Sequence, residues 1–210
     1  MTVTTAVRVN LEAGCGPGPC AQMALGLERQ LRTYTKGAAL MPIRGDLIGW
    51  FNQHNTIRKR AMKATRLGYR FSVIRRADYV DDIYDINVSK AERQGRPMSA
   101  GYNERTFYGE SRLVCRRHHV HTYGVTDAAG ILVAYLWLYR CGELALVSSI
   151  LGHSDHLEHG VMYQLWAGML GQEWDRGGVV FYNLWGSGTD GLRFYKQRVG
   201  LEEGNVEWAL

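Results

Sequence analysis

The spacing of apolar residues changes period several times along the chain, and each change marks an element. From His119 onward the pattern is regular. Val120 to Val125, Ile131 to Tyr139 and Leu144 to Ile150 are apolar-rich runs separated by the turn signals Asp127–Gly130 and Cys141-Gly142. They predict three strands joined by tight turns, an antiparallel meander. A loop over Leu151–Leu157 leads to a helix from about Glu158 to Arg176, ended by Gly177-Gly178. Val179 to Trp185 reads as a buried strand, Gly186-Ser187-Gly188 as a flexible break, and Asp190 as the cap of a short last helix through Lys196. Upstream, Met23, Leu27, Leu31 and Tyr34 share one helical face. Asp46 opens a longer helix carrying Trp50, Phe51, Ile57, Ala61, Ala64 and Leu67, stopped at Gly68. Tyr69 to Ile74 alternates as a strand, and Asp78 caps a helix bearing Tyr79, Val80, Ile83, Tyr84 and Ile86. Residues 1–20, with Gly14-Cys15-Gly16-Pro17-Gly18-Pro19, read as an N-terminal arm or loop, and 21–210 as a single domain.

Composition narrows the class. Apolar residues at 46% and charged residues at 21% describe a folded globular chain rather than a disordered one. The longest apolar run, Ile131–Tyr139, falls short of the roughly 18 residues that cross a bilayer. No basic patch precedes an apolar core at the N-terminus, so no signal peptide is expected. Cys15, Cys20, Cys115 and Cys141 form no CxxC pair, which points to reduced thiols and a cytoplasmic location. The net charge of +5 is unevenly spread: Arg58, Lys59, Arg60, Lys63, Arg66, Arg70, Arg75 and Arg76 fall within 21 residues that contain no acid. Such a block is either a solvated face or a surface for phosphates, of a nucleotide donor or of nucleic acid such as tRNA or DNA.

The order meander, helix, strand, glycine-rich break, short helix is similar to the C-terminal half of a GNAT acyltransferase. Two stretches sharpen the likeness. Gly191-Leu192-Arg193-Phe194-Tyr195-Lys196-Gln197-Arg198-Val199-Gly200, after the strand Gly177–Leu184, resembles the ending of the Fem-like branch. Asn55–Ala64 followed by Gly68-Tyr69 resembles that branch's basic helix and glycine turn. The resemblance implies an α/β (α+β) fold, a mixed and mostly antiparallel sheet flanked by helices. It also implies transfer of an acyl or aminoacyl group onto an amine or hydroxyl, with acyl-CoA (acetyl-CoA) or aminoacyl-tRNA as donor. The stretch Leu151–Val161 has glycines but no basic start for a pyrophosphate loop, so both donors stay open. The acceptor so implied would be a small amine, a peptide or an amine on a modified nucleic-acid base.

In the resembling enzymes Lys196 would stabilise the oxyanion and Tyr195 would protonate the leaving group. Asn183, Ser187 and Gly188 would meet the donor carbonyl, with Tyr182 or Trp185 lining an acceptor pocket. His153 and His159 are candidates for the site wall or a base near neutral pH. With His156 they recur every three residues, which is not the spacing of a helical zinc pair, and no metal is expected. Arg58, Arg60 and Lys63 would lie at the mouth of the groove. The alternative is a non-catalytic nucleic-acid-binding module on the same fold.

Overall fold

The computed structural model describes residues 6–13, 18–93, 95–105 and 112–210. In chain order the elements are β1 (Ala6–Asn10), α1 (Pro19–Leu31), β2 (Ala38–Ile43), α2 (Leu47–Gln53), α3 (Asn55–Arg66), β3 (Arg70–Ile74), α4 (Val80–Val88), β4 (Glu92–Arg93), β5 (Arg96–Pro97), β6 (Arg112–Cys115), β7 (His118–Thr126), β8 (Leu132–Cys141), β9 (Leu144–Gly152), α5 (Val161–Glu173), β10 (Gly178–Leu184), α6 (Asp190–Arg198) and β11 (Glu202–Ala209). One large sheet runs β1-β11-β2-β10-β9-β8-β7-β3, with β6 also on β7, while β4 and β5 make a separate hairpin. The sheet is mixed and mostly antiparallel, with helices on both faces. No helix among the described residues is long and apolar enough to cross a membrane.

β8 shows why its sequence lacks a polar face. Ala134, Leu136 and Leu138 pack with Ile57 and Ala64 of α3 and Leu165, Trp166, Met169 and Leu170 of α5. On the opposite face Cys141 meets Ala24, Leu27 and Leu31 of α1, and Tyr135 meets Ile83 and Ile86 of α4. Successive side chains point to opposite faces of a strand, so covering both faces demands a continuous apolar run.

The expected meander is β7-β8-β9, antiparallel throughout. The expected next strand, β10, lies beside its third member and parallel to it, from Val179 opposite Leu144 to Phe181 opposite Leu146. α5 is the crossover between them. Gly178 starts β10 at φ +86°, where a Cβ would collide with the backbone of Glu143; only glycine fits both demands.

Several expectations need correction. The long helix after Asp46 is two helices, α2 and α3, broken at His54, although Asp46 does cap the first by accepting from the Gly49 amide. Asp78 is not the cap of α4, which follows a 3-10 turn over Arg76–Tyr79. Thr189, not Asp190, caps α6. Ala6–Asn10, read as arm or loop, is a strand parallel to β11, while residues 14–17 of that arm lie outside the described ones. β2 and β11 had no counterpart in the reading. Cys20 is disulfide-bonded, so the thiols are not all reduced; Cys115 and Cys141 are free.

Candidate functional site

The pairing of β9 with β10 ends at Leu146 and Phe181. Both strands continue, β9 to Gly152 and β10 to Leu184, without pairing each other. The edge of β9 that would have paired β10 therefore faces a wedge, and its peptide groups there are open to a ligand. β9 also bulges inside this stretch. Trp137 pairs Ser149 and Leu138 pairs Val147, leaving Ser148 as the extra residue. A bulge bends a strand and turns its peptide groups.

Two cavities of about 340 and 260 Å³ occupy the wedge and share Arg93, Ile150, Leu151 and Tyr182. The larger is closed by Met162 and Tyr163 of α5 and by Leu192 and Tyr195 of α6, with Lys90 at its rim. The smaller is lined by Ser148, Ser149 and Asn183, with Met98 and Tyr102 opposite.

Tyr195 brings a polar atom to this apolar wall. Its phenol oxygen is buried, and it has no hydrogen-bond partner among the described residues. Its ring meets Tyr163 edge-on at 5.6 Å. Burial foremost, then the neighbouring Tyr182 and Tyr163, pushes the phenol well above its ordinary range. The indole of Trp166 tempers that shift, yet its Nε1 is also unpaired and neither atom has hydrogen-bonding geometry. The phenol thus keeps its proton and has it free to give. Asn183 Oδ1 is a second buried acceptor without a partner among the described residues. Unsatisfied buried polar atoms are uncommon and costly, and these two belong to residues that line one wedge.

Lys196 sits differently. It is fully buried, lines neither cavity, and its Nζ donates to Leu184 O at 2.6 Å, Trp185 O at 3.1 Å, and Ser187 O and Oγ at 3.2 Å. An ammonium has three protons, and here all are shared among acceptors in the β10–α6 loop. The expectation that Lys196 presents its charge to an oxyanion is not met by this geometry. Lys196 holds the loop instead. Ser187 belongs to the same knot, with Oγ donating to Leu184 O at 2.7 Å. Gly188 follows at φ +84°. Trp185 packs on the main core.

The histidines form a cluster before α5. Tyr69 Oη lies 2.7 Å from His156 Nδ1 and 2.8 Å from His159 Nδ1, and His153 Nδ1 accepts from the Asp155 amide at 3.4 Å. Neither His153 nor His159 lines the wedge. Arg58, Arg60 and Lys63 lie on the exposed side of α3. Arg58 donates to Asn52 and Asn55 and borders a groove between α3 and α5, while Lys63 donates to Glu158 O at 3.0 Å. None of the three lines either cavity, although Lys63 bonds the residue next to Leu157, which does. Of the expected residues, the structure brings Tyr182, Asn183 and Tyr195 together. It adds Arg93, Lys90, Tyr163 and Tyr102, which the sequence did not single out.

Two groups of metal-ligand type occur among the described residues, Cys20/Cys115/His118 and His119/His121/Glu173. Cys20 is already disulfide-bonded. Glu173 already has Arg176 at 3.5 Å and Arg140 at 3.8 Å, cations that would repel a metal ion.

No family model and no curated protein sequence matches the chain. Solved structures do. FemX aligns with a TM-score of 0.58 at 10% identity, over 85% of this chain and 66% of its own. The fold is therefore like that of FemX. The C-terminal domain of a provisionally named lysylphosphatidylglycerol synthetase from Agrobacterium fabrum aligns at 0.50, with 14% identity over 81% of this chain and 58% of that one. A tandem GNAT protein from the clavulanic acid biosynthesis pathway gives 0.46 at 13% identity, over 96% and 60%. The chain spans about three-fifths to two-thirds of the length of these solved structures.

Proposed function

We propose that this Fem-like chain transfers an acyl or aminoacyl group to an amine or hydroxyl, and that the reaction takes place in the wedge between β9 and β10. The observation that carries this reading is the early end of the β9–β10 pairing, with the unpaired Tyr195 phenol and Asn183 carbonyl in the walls of the gap. Acyl transfer needs hydrogen-bond donors for an oxyanion and a proton for the departing group. The open edge of β9 around the Ser148 bulge offers amides fixed by the sheet, so aligning them costs no reorganisation. Tyr195 offers the proton, since burial keeps the phenol neutral. Asn183 orients the donor or acceptor through Oδ1, and Tyr182 forms the common wall. Lys196 acts from behind, fixing the loop from which α6 starts.

The donor is an acyl-CoA or an aminoacyl-tRNA. In favour of the tRNA, α3 exposes Arg58, Arg60 and Lys63, and phosphate surfaces are built from such residues. The N-terminus of α5 is also crowded, because a Cβ on Gly160 would lie 2.5 Å from Arg60 O. In favour of acyl-CoA, the cavity of about 340 Å³ is mostly apolar in its lining. The deciding experiment is single-turnover transfer of label from acetyl-CoA, and in parallel from aminoacyl-tRNA, to a panel of amines. Label should pass from one donor and be slowed by Tyr195→Phe. Failure of both donors to bind or to transfer would end the transferase reading.

A further inference from the structure

The charge balance of the wedge carries a second conclusion. Lys90 and Arg93 are the charged residues in the two cavity linings, and neither lining includes Asp or Glu. Among the described residues, no ion pair involves either cation. Arg93 is half-buried on the short β4. Its Nη1 donates to Gly152 O at 3.0 Å, and its Nη2 to Ile86 O at 2.7 Å and Ser89 Oγ at 3.0 Å. Its Nε is buried with no partner among the described residues. Burial, the largest influence, pulls its pKa below the ordinary arginine value. A guanidinium desolvated by neutral neighbours, with a donor to spare and no counter-charge, lacks the partner that most stabilises it.

Its position says where that partner would be. Arg93 belongs to both cavities and is tied to the C-terminal end of β9, beside Ile150 and Leu151. We propose that Arg93, with Lys90 as a second positive charge, binds an anionic group of the acceptor, a carboxylate or a phosphate. This rests on the transferase reading of the same wedge. The group belongs to the acceptor because the donors carry no charge on the scissile bond itself. The phosphates of a CoA lie at the far end of its arm, and those of a tRNA lie beyond the terminal nucleoside. A planar guanidinium also suits two-oxygen anions better than an ammonium does.

Arg93 also ties α4 to β9, so the test must separate binding from support. Lys90 makes no such tie. The experiment is calorimetric titration at low ionic strength with inorganic phosphate and with succinate, using chloride as the ionic-strength control. Wild type should bind one of the two saturably at one site, phosphate marking a phosphorylated acceptor and succinate a carboxylated one. Lys90→Gln should weaken that binding several-fold, and Arg93→Gln by at least about tenfold, as expected for loss of a hydrogen bond to a charged group. Arg93→Lys should recover part of it. If Arg93→Gln does not fold, Lys90→Gln and Arg93→Lys decide the matter. Absence of saturable binding in wild type, or equal binding across the folded variants, overturns the proposal. Anion binding requires no turnover, so intact binding without transfer would sink the transferase reading alone.

Discussion

Tyr195 and Lys196 are neighbours in sequence with opposite surroundings. Successive helical residues point about 100° apart, so the phenol enters the wedge wall while the ammonium turns under the β10–α6 loop. If Tyr195 protonates the leaving group, Tyr195→Phe should fold normally and lower turnover by about 10²- to 10⁴-fold. Single-turnover rates at matched donor saturation check this, and an unchanged rate removes the phenol from the chemistry. Lys196→Met should act on stability, because three loop carbonyls and Ser187 Oγ would lose their donor. A loss of about 1–3 kcal/mol is expected, read from urea denaturation. Unchanged stability with collapsed turnover would return Lys196 to a chemical role. Their adjacency on one helix implies that the two side chains diverge, but not which of them enters the wedge wall. Arg93 was illegible for another reason. It follows the end of α4 in Ser89-Lys90-Ala91-Glu92-Arg93, where no periodicity remains to assign a face, and its partners are carbonyls that any residue carries.

At the scale of elements, the wedge depends on where pairing stops. β10 begins at Gly178, pressed against Glu143, and pairs with β9 only as far as Phe181. Gly178→Ala should destabilise by more than about 1 kcal/mol, since it adds both a forbidden φ and a backbone clash. Thermal unfolding checks this, and a wild-type midpoint would mean that the β9–β10 start is not held there. The meander and β10 were legible because their runs are long, apolar and bounded by turns. β1 and β11 were not, since AVRVN and EEGNVEWA are short or polar strands near the sheet edge. β2, AALMPI, includes a proline that argues against a strand. The break between α2 and α3 is not legible in the sequence, because the apolar spacing continues through His54. The basic character of α3 was plain, but not that Arg58 would border a groove between α3 and α5. If tRNA is the donor, replacing Arg58, Arg60 and Lys63 by Ala should weaken its binding and flatten the salt dependence. Unchanged binding at low salt would reduce them to a solvated face.

For the whole molecule, one buried polar network ties α5 to the meander. Glu173 accepts from Tyr123 Oη at 2.7 Å and pairs with His119 at 3.2 Å, with Arg140 and Arg176 nearby. Burial alone would raise its pKa. Hydrogen bonds from His119 and Tyr123, with the charges of His119 and Arg176, hold it below the ordinary 4.5. Below that value the unfolded chain takes up a proton that the native carboxylate refuses. Its stabilisation is therefore complete above pH 4.5 and is lost as pH falls through the lower native value. Glu173→Gln should be less stable at neutral pH and show a flatter acid limb in urea midpoints against pH; an unaltered acid limb would remove Glu173 from the acid response. The central claim, that the donor occupies the gap between β9 and β10, is tested most directly by hydrogen exchange with and without each donor. Acetyl-CoA or aminoacyl-tRNA should slow exchange in 147–152 and 182–184, while strands β1 and β11 stay unchanged. Protection that appears elsewhere, with those two segments unaffected by a donor that binds, would contradict the account.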